Sequence, residues 1–185
     1  MRMASEAAVA YGGAMVHVRE MDGADIEAVS TIRVRGWQAA YAGIVPRTYL
    51  DAMTVEDDAG RRRQWFSQPR RESKDLVAVG DRGPVGWICF GPCRSRLPGA
   101  GRVGEVYALY VSPELIGRGI GRILLGEAHA RMQDQGFAAA ALWVLRDNER
   151  ARHFYERAGY QADGATQDDV YDEITLSELR YRRVL

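Results

Sequence analysis

Glycines at positions 117, 119 and 121 alternate with Arg118, Ile120 and Arg122, directly after the aromatic and apolar stretch from Glu105 to Val111. That stretch reads as a strand, ended by Ser112-Pro113, and the residues after Gly121 continue with helical spacing. Glycine lets a backbone turn tightly and approach a ligand closely. The unpartnered N–H groups at a helix start, with the positive end of its dipole, form a site for phosphate. Arg118 and Arg122 add positive charge there. The implied ligand carries a pyrophosphate and lies along a strand edge. The Gly-Lys-Ser/Thr of a P-loop is missing, which argues against a nucleotide site of that kind.

Other chemistry-bearing residue types give less. His129 and His153 fall on helical stretches without metal-like partner spacing, and His17 alternates with apolar neighbours, so none is read as ligand or base. Cys89 and Cys93 are too few for a disulfide scaffold or a zinc site and read as buried or loop thiols. No metal is expected.

The chain has 185 residues, enough for one domain with a core. Its 25 basic and 25 acidic residues cancel, and Lys74 is the only lysine. A nucleic-acid binder normally shows a basic excess, so no nucleic-acid partner is expected. No apolar run reaches the length of a membrane span, and Glu6 and the early glycines break any signal-peptide core. Residues 1–14 are therefore expected to be a flexible leader and 15–185 a single domain of a cytoplasmic protein.

The elements that must position the glycine turn follow in order. MVHVRE reads as a strand with Val16 and Val18 on one face. Asp22 and Asp25 offer caps for a helix through Ile26, Val29, Ile32 and Val34. A bend follows, marked by Gly43 and Pro46, then a short helix through TYLDAM. VEDDAGRRRQWF is acidic at its start and basic at its end, as a helix dipole favours, with Arg61, Arg62 and Arg63 on a solvated face. Two strands, Asp75 to Val79 and Val85 to Phe90, flank the hairpin signal DRGP. The helix after the glycine turn stops at Gly136. Phe137 to Leu145 reads as a buried strand, Asn148 as the cap of a helix ending at Gly159, and Tyr160 as the start of another strand. An acidic loop from Asp163 to Glu173 and a closing strand, ITLSELRYRRVL, complete the chain. This order predicts an α/β fold with helices on both faces of a mixed sheet.

From about Val16 to Leu185 the chain resembles the GNAT superfamily of acyl-CoA N-acyltransferases. GEVYALYVSPELIGRGIGRILL is similar to the family's cofactor motif. Asn148, Tyr155, Gly159 and Tyr160 are similar to its next motif, and Trp37, Tyr41, Gly43-Ile44-Val45-Pro46 and Tyr49-Leu50 resemble the substrate-side helices of many bacterial members. One departure is Ile116, where the family usually carries Gln or Arg. The resemblance implies a mixed, mostly antiparallel sheet of six to seven strands. It also implies acetyl-CoA as co-substrate, a primary amine of a small molecule or protein as acceptor, and direct attack in a ternary complex, with a non-catalytic acyl-CoA-binding module as the alternative. Many relatives are dimers, so a homodimer is compatible with it.

The roles that the resemblance implies fit the reaction. An alkylammonium with a pKa of about 10.4 must lose a proton before it attacks. Glu105 matches the position of the base in the histone-acetylating branch, and is otherwise a surface carboxylate at a strand end. Tyr155 matches the hydroxyl that protonates the leaving thiolate, and is otherwise a core tyrosine. Main-chain groups of Leu109, Tyr110 and Val111 would hold the pantetheine arm and the oxyanion beside a splayed strand. Gly117, Arg118, Gly119, Ile120, Gly121, Arg122 and Asn148 would bind the cofactor. Trp37 and Tyr41 share a helix face and would form either an aromatic acceptor wall or core. Trp143 stands where the ribosomal-protein branch carries a glutamate, so a peptide N-terminus is the less favoured acceptor. No cysteine lies at a catalytic position, so no acyl-enzyme is expected.

Overall fold

Alternation of apolar residues and well-placed turns resolves the chain into eight strands and five α-helices among the described residues, which in this computed structural model are 8–11, 14–69, 71–95 and 101–185. The strands are β1 (Ala8–Tyr11), β2 (Ala14–Glu20), β3 (Lys74–Gly80), β4 (Gly83–Pro92), β5 (Val103–Val111), β6 (Ala139–Leu145), β7 (Gln161–Tyr171) and β8 (Ile174–Val184). The helices are α1 (Ile26–Ala40), α2 (Arg47–Asp51), α3 (Val55–Phe66), α4 (Ile120–Asp134) and α5 (Glu149–Arg157). They build one sheet in the order β1-β2-β3-β4-β5-β6-β8-β7. Seven of its strands match the expected sheet. The eighth is β1, which falls in the expected leader and pairs antiparallel with β2. The rest of that leader, residues 1–7, 12 and 13, lies outside the described residues.

Every neighbouring pair is antiparallel except β5 and β6. A parallel pair needs a crossover, and α4 supplies it. The parallel ladder is short. It starts at Val103↔Ala139 and ends at Val106↔Leu142, although β5 runs on to Val111 and β6 to Leu145. On its other side β5 stays paired with β4 as far as Val111↔Gly86. The register there shifts between Cys89↔Ala108 and Phe90↔Val106, which leaves Tyr107 as the extra residue of a bulge. A bulge bends its strand and sharpens its twist. β5 therefore leaves β6 one residue after their last pair, and the sheet opens into a wedge.

α4 and α5 cover one face. Ile120, Leu124, Leu125, Ala128 and Met132 of α4 are buried against Leu76, Ile88, Phe90, Val106 and Leu142, with Phe154 and Tyr155 of α5 packed beside them. Burial of each such aliphatic side chain is worth about 1.5–3 kcal/mol. The other face is covered by α1 and α3, through Ile26, Val29 and Ala59 on Val77, Trp87 and Cys89. A third cluster joins the end of α1, α2 and the far hairpin: Trp37, Tyr41, Tyr49 and Leu50 with Leu145, Tyr171 and Leu176.

Two expectations change. Most of the acidic segment read as a loop is strand β7, and only Asp172 and Glu173 turn the hairpin, with Asp172 at φ 54. A two-residue hairpin turn demands positive φ, which Asp tolerates, and the exposed acids Asp163, Asp168 and Asp169 are compatible with an edge strand facing water. Arg62 is not on a solvated face. Its guanidinium lies 4.2 Å over the Trp87 ring and bonds Asp58 at 3.3 Å, and burial depresses its pKa. Helical spacing brings Arg62 and Asp58 onto the inner side of α3, where Arg33 of α1 also meets Asp58 at 2.7 Å. Arg61 and Arg63 remain exposed.

Candidate active site

The glycine turn leads into α4 as its composition demands. Gly117 and Gly119 have φ of 88° and 86°, a left-handed conformation that a side chain resists. No side chain caps α4. Its first backbone bonds come from the N–H groups of Arg122 and Ile123, both donated to the Gly119 carbonyl at 3.0 and 3.1 Å. The N–H groups of Ile120 and Gly121 have no acceptor among the described residues. Two left-handed glycines on either side of Arg118, before such a start, make a concave anion site. The Ile120 side chain is in the core, so only its backbone is available to a ligand. Arg118 and Arg122 are exposed beside the turn. Ile116 is half-buried and extended, at the end of a short 3-10 turn.

The wedge opens next to this turn. Leu109, Tyr110 and Val111 lie on the part of β5 that has left β6, and their backbone groups on that side have no strand partner. Three tyrosines converge here. Tyr41, the residue that ends α1, and Tyr110 of β5 share a hydrogen bond of 3.3 Å between hydroxyls. Tyr155 reaches the same place from α5, close enough that Tyr41 acts on its ionisation. Burial first, and Tyr41 second, raise the pKa of both Tyr110 and Tyr155. A hydroxyl held that high stays protonated across the neutral range and keeps its proton to donate. Tyr110 gets its position from Trp87, stacked at 6.3 Å and 12°, and from Gly36, where a Cβ would come within 2.9 Å of the Tyr110 ring. The ring of Tyr155 packs on Phe154 and Tyr160, at 5.1 and 5.8 Å.

Glu105 lies on β5 before the bulge. It sits within the paired part of β5, opposite Gly91 and Ala141, with 0% of its surface exposed. Arg94 takes both its oxygens: the backbone N–H donates to Oε2 at 2.9 Å, Nε donates to Oε1 at 2.9 Å, and a terminal guanidinium nitrogen also donates to Oε1. Arg94 lies over the Tyr107 ring at 4.8 Å, and the Tyr107 hydroxyl donates to the Pro92 carbonyl. The carboxylate holds the entry of the β4–β5 connection. Asn148 has a similar duty: its Oδ1 accepts from the Ala151 N–H at 3.1 Å and caps α5, leaving its amide nitrogen for any ligand.

On the opposite wall, Trp37 and Tyr41 meet edge to face at 4.7 Å, and Trp37 also touches Tyr49 and Tyr171 at 6.1 and 5.9 Å. Trp37 and Tyr41 are thus partly buried in an aromatic cluster, and Tyr41 reaches from it to Tyr110 of β5. Trp143 lies across from Arg180, whose guanidinium is 5.6 Å above its ring. One polar residue here escaped the sequence reading. Glu178 of β8 is half-buried, opposite Leu145 at the end of β6, and accepts from Gln167 Nε2 at 2.6 Å. The signal that could have found it is alternation: Leu176 and Glu178 share one face of the strand, and Leu176 packs into the aromatic cluster.

The structure thus brings together the glycine turn, the free edge of β5, Tyr155, Tyr41 and Trp37, and binds Glu105 to Arg94. Among the described residues no group of His, Cys, Asp and Glu could hold a metal ion. His129 is a buried packing residue, 2.7 Å from the Tyr160 hydroxyl.

A model of the acetyltransferase (GNAT) family matches residues 37–160. An uncharacterized N-acetyltransferase, YuaI of Bacillus subtilis, is 32% identical over 135 residues, covering 72% of this chain and 74% of the relative. A mycothiol acetyltransferase of Rhodococcus jostii is 41% identical over 58% of this chain, which spans only 35% of that protein. The PaiA N-acetyltransferase of Thermoplasma acidophilum, solved with coenzyme A, shares the fold with a TM-score of 0.72 at 21% identity, over 92% of this chain and 99% of that one. A family model across two thirds of the chain, a relative alike over most of its length and a wedge beside an uncapped glycine turn agree: the chain belongs to the GNAT family and is an acetyl-CoA-dependent N-acetyltransferase.

Proposed function

We propose that the protein acetylates a small cationic amine in the cytoplasm, and that Tyr155 is its general acid. The observation that carries this reading is the meeting of Tyr41, Tyr110 and Tyr155 where β5 leaves β6. The N–H groups of Ile120 and Gly121, with Arg118 and Arg122 outside them, hold the diphosphate. The free edge of Leu109 to Val111 aligns the pantetheine arm and offers an N–H to the oxyanion. Tyr155, protonated at neutral pH, hands its proton to the departing thiolate. The acceptor enters between Trp37, Tyr41, Tyr49 and Tyr171, an aromatic wall suited to a cation, with Asp169 and Glu178 nearby. Trp143 in place of a carboxylate supports a small molecule over a peptide N-terminus. The test is release of free thiol from acetyl-CoA with a panel of primary amines: alkylamines, polyamines, amino sugars and N-terminal peptides. Turnover greatest with a small cationic amine is expected; turnover with peptides alone overturns the acceptor class, and none with any amine favours a binding module.

A further inference from the structure

Acetyl transfer to an ammonium requires a base, and Glu105 is clamped by Arg94. We propose that Glu178 is the carboxylate that binds the ammonium of the acceptor and takes its proton. This rests on the acetyl-transfer reading above.

The register places Glu178 at the mouth of the wedge. It pairs with Leu145, the last residue of β6, three positions beyond Leu142, where β5 and β6 last pair. Strand alternation puts its side chain on the face of Leu176, which packs with Trp37, Tyr41 and Tyr171. Across the strand, Gln167, Asp169 and Tyr171 alternate onto that same face of β7. Gln167 holds Oε2 at 2.6 Å and so orients the carboxylate. Oε1 has no partner among the described residues. The charged and titratable groups facing it are Asp169 and Tyr171 from β7, Tyr41 from the end of α1, and Arg94 and Glu105 from the β4–β5 side. Burial is the main influence on this carboxyl and raises its pKa; Asp169 and Glu105 push the same way, against Gln167 and Arg94. A carboxylate of raised basicity lies closer to the operating pH of a general base. Tyr41 joins this face to β5, since it packs in the cluster with Leu176 and shares a hydrogen bond of 3.3 Å with Tyr110.

The proton balance closes. The ammonium gives one proton to Glu178, which later releases it to water. The neutral nitrogen attacks the thioester carbonyl and forms the C–N bond. As the C–S bond breaks, sulfur takes the Tyr155 proton, and the second proton lost by nitrogen restores the tyrosine. The products are the amide, free thiol and one proton.

The experiment compares two acceptors in the wild type and in Glu178→Gln: spermidine, which is cationic at pH 7, and a weakly basic hydrazide, which is neutral there. A wild type that releases no thiol with either, or with the wider amine panel, defeats the acetyl-transfer reading before Glu178 is reached. Otherwise, Glu178→Gln is expected to lose on the order of 10²-fold in kcat/KM with spermidine and less than about 3-fold with the hydrazide. Glu178→Asp restores part of the spermidine rate, and coenzyme A affinity stays unchanged. Equal losses with both acceptors overturn the proposal. If Glu178→Gln melts early, Gln167→Ala replaces it on the exposed strand. Removing that donor moves the acid limb of the spermidine pH profile upward, whereas an unmoved limb overturns the assignment. Glu105→Gln should keep the limb and lower thermal stability; loss of the limb there would return the role of base to Glu105.

Discussion

Two helices begin beside the wedge, and they begin in opposite ways. α5 is closed by Asn148, whose side chain satisfies the Ala151 N–H. α4 starts from a left-handed glycine with no capping side chain, so the N–H groups of Ile120 and Gly121 face outward. A helix start left open costs stability unless something else fills it. The sequence could have placed Ser, Asp or Asn at position 119, as it placed Thr54 before α3 and Asp22 before the 3-10 turn Gly23–Asp25 that leads into α1. In the function proposed above, the difference divides the labour: α4 would contribute its backbone to a diphosphate, whereas α5, its backbone closed, would contribute the side chain of Tyr155 two turns further on.

Breaking the open end should have the largest effect. Gly119→Asp keeps a residue type that tolerates positive φ and sets a carboxylate against the diphosphate. At about 4 Å and an effective dielectric near 20, the repulsion approaches 4 kcal/mol, so coenzyme A affinity is expected to fall on the order of 10³-fold. Calorimetric titration measures it; affinity within a few-fold of wild type would show that the diphosphate lies elsewhere. Tyr155→Phe tests the other helix. Turnover should drop on the order of 10²-fold, with coenzyme A affinity unchanged because no backbone group has moved. Equal turnover removes the tyrosine from the reaction.

Much of this site is legible in the amino-acid sequence, and the reason is local. The glycine turn, the cap at Asn148 and the helix carrying Tyr155 are encoded within a few residues of themselves, so their types and spacing suffice. What is not legible depends on residues distant in sequence. Glu105 reads as either a base or a surface carboxylate at a strand end; the structure buries it, and Arg94, 11 residues away across a loop, takes both its oxygens. Arg62 reads as solvated until α3 lays it on Trp87. Glu178 is unremarkable in ITLSELRYRRVL and gains meaning from its register with Leu145 and Gln167. The bulge at Tyr107 that opens the wedge has no glycine or proline to announce it.

The two helices are also tied to each other, and that tie titrates. His129 on the buried side of α4 meets the Tyr160 hydroxyl just past α5 at 2.7 Å. Burial, helped by Arg183, pulls the histidine pKa down from 6.5 to about 4. The folded state therefore binds this proton less readily than the unfolded chain. The stabilisation is complete above pH 6.5 and is lost as pH falls towards about 4. The loss is on the order of 2 kcal/mol after allowing for partial solvent screening. Denaturant melts at pH 7 and pH 4.5 should show it, and His129→Gln should flatten the difference; an undiminished difference would move the acid sensitivity to the carboxylates.

The smallest effect belongs to the closed end, and it discriminates most finely. Asn148→Ala removes one cap and should cost about 1 kcal/mol of stability, read as a lower denaturant midpoint at constant slope. If Asn148 serves only α5, coenzyme A affinity stays within about 2-fold, because α4 and the β5 edge are untouched. If its amide nitrogen also holds the pantetheine arm, affinity falls about 5- to 10-fold, the worth of one hydrogen bond. Asn148→Asp then separates the two duties: it keeps the cap oxygen and removes the donor, so stability should return while any loss of affinity persists.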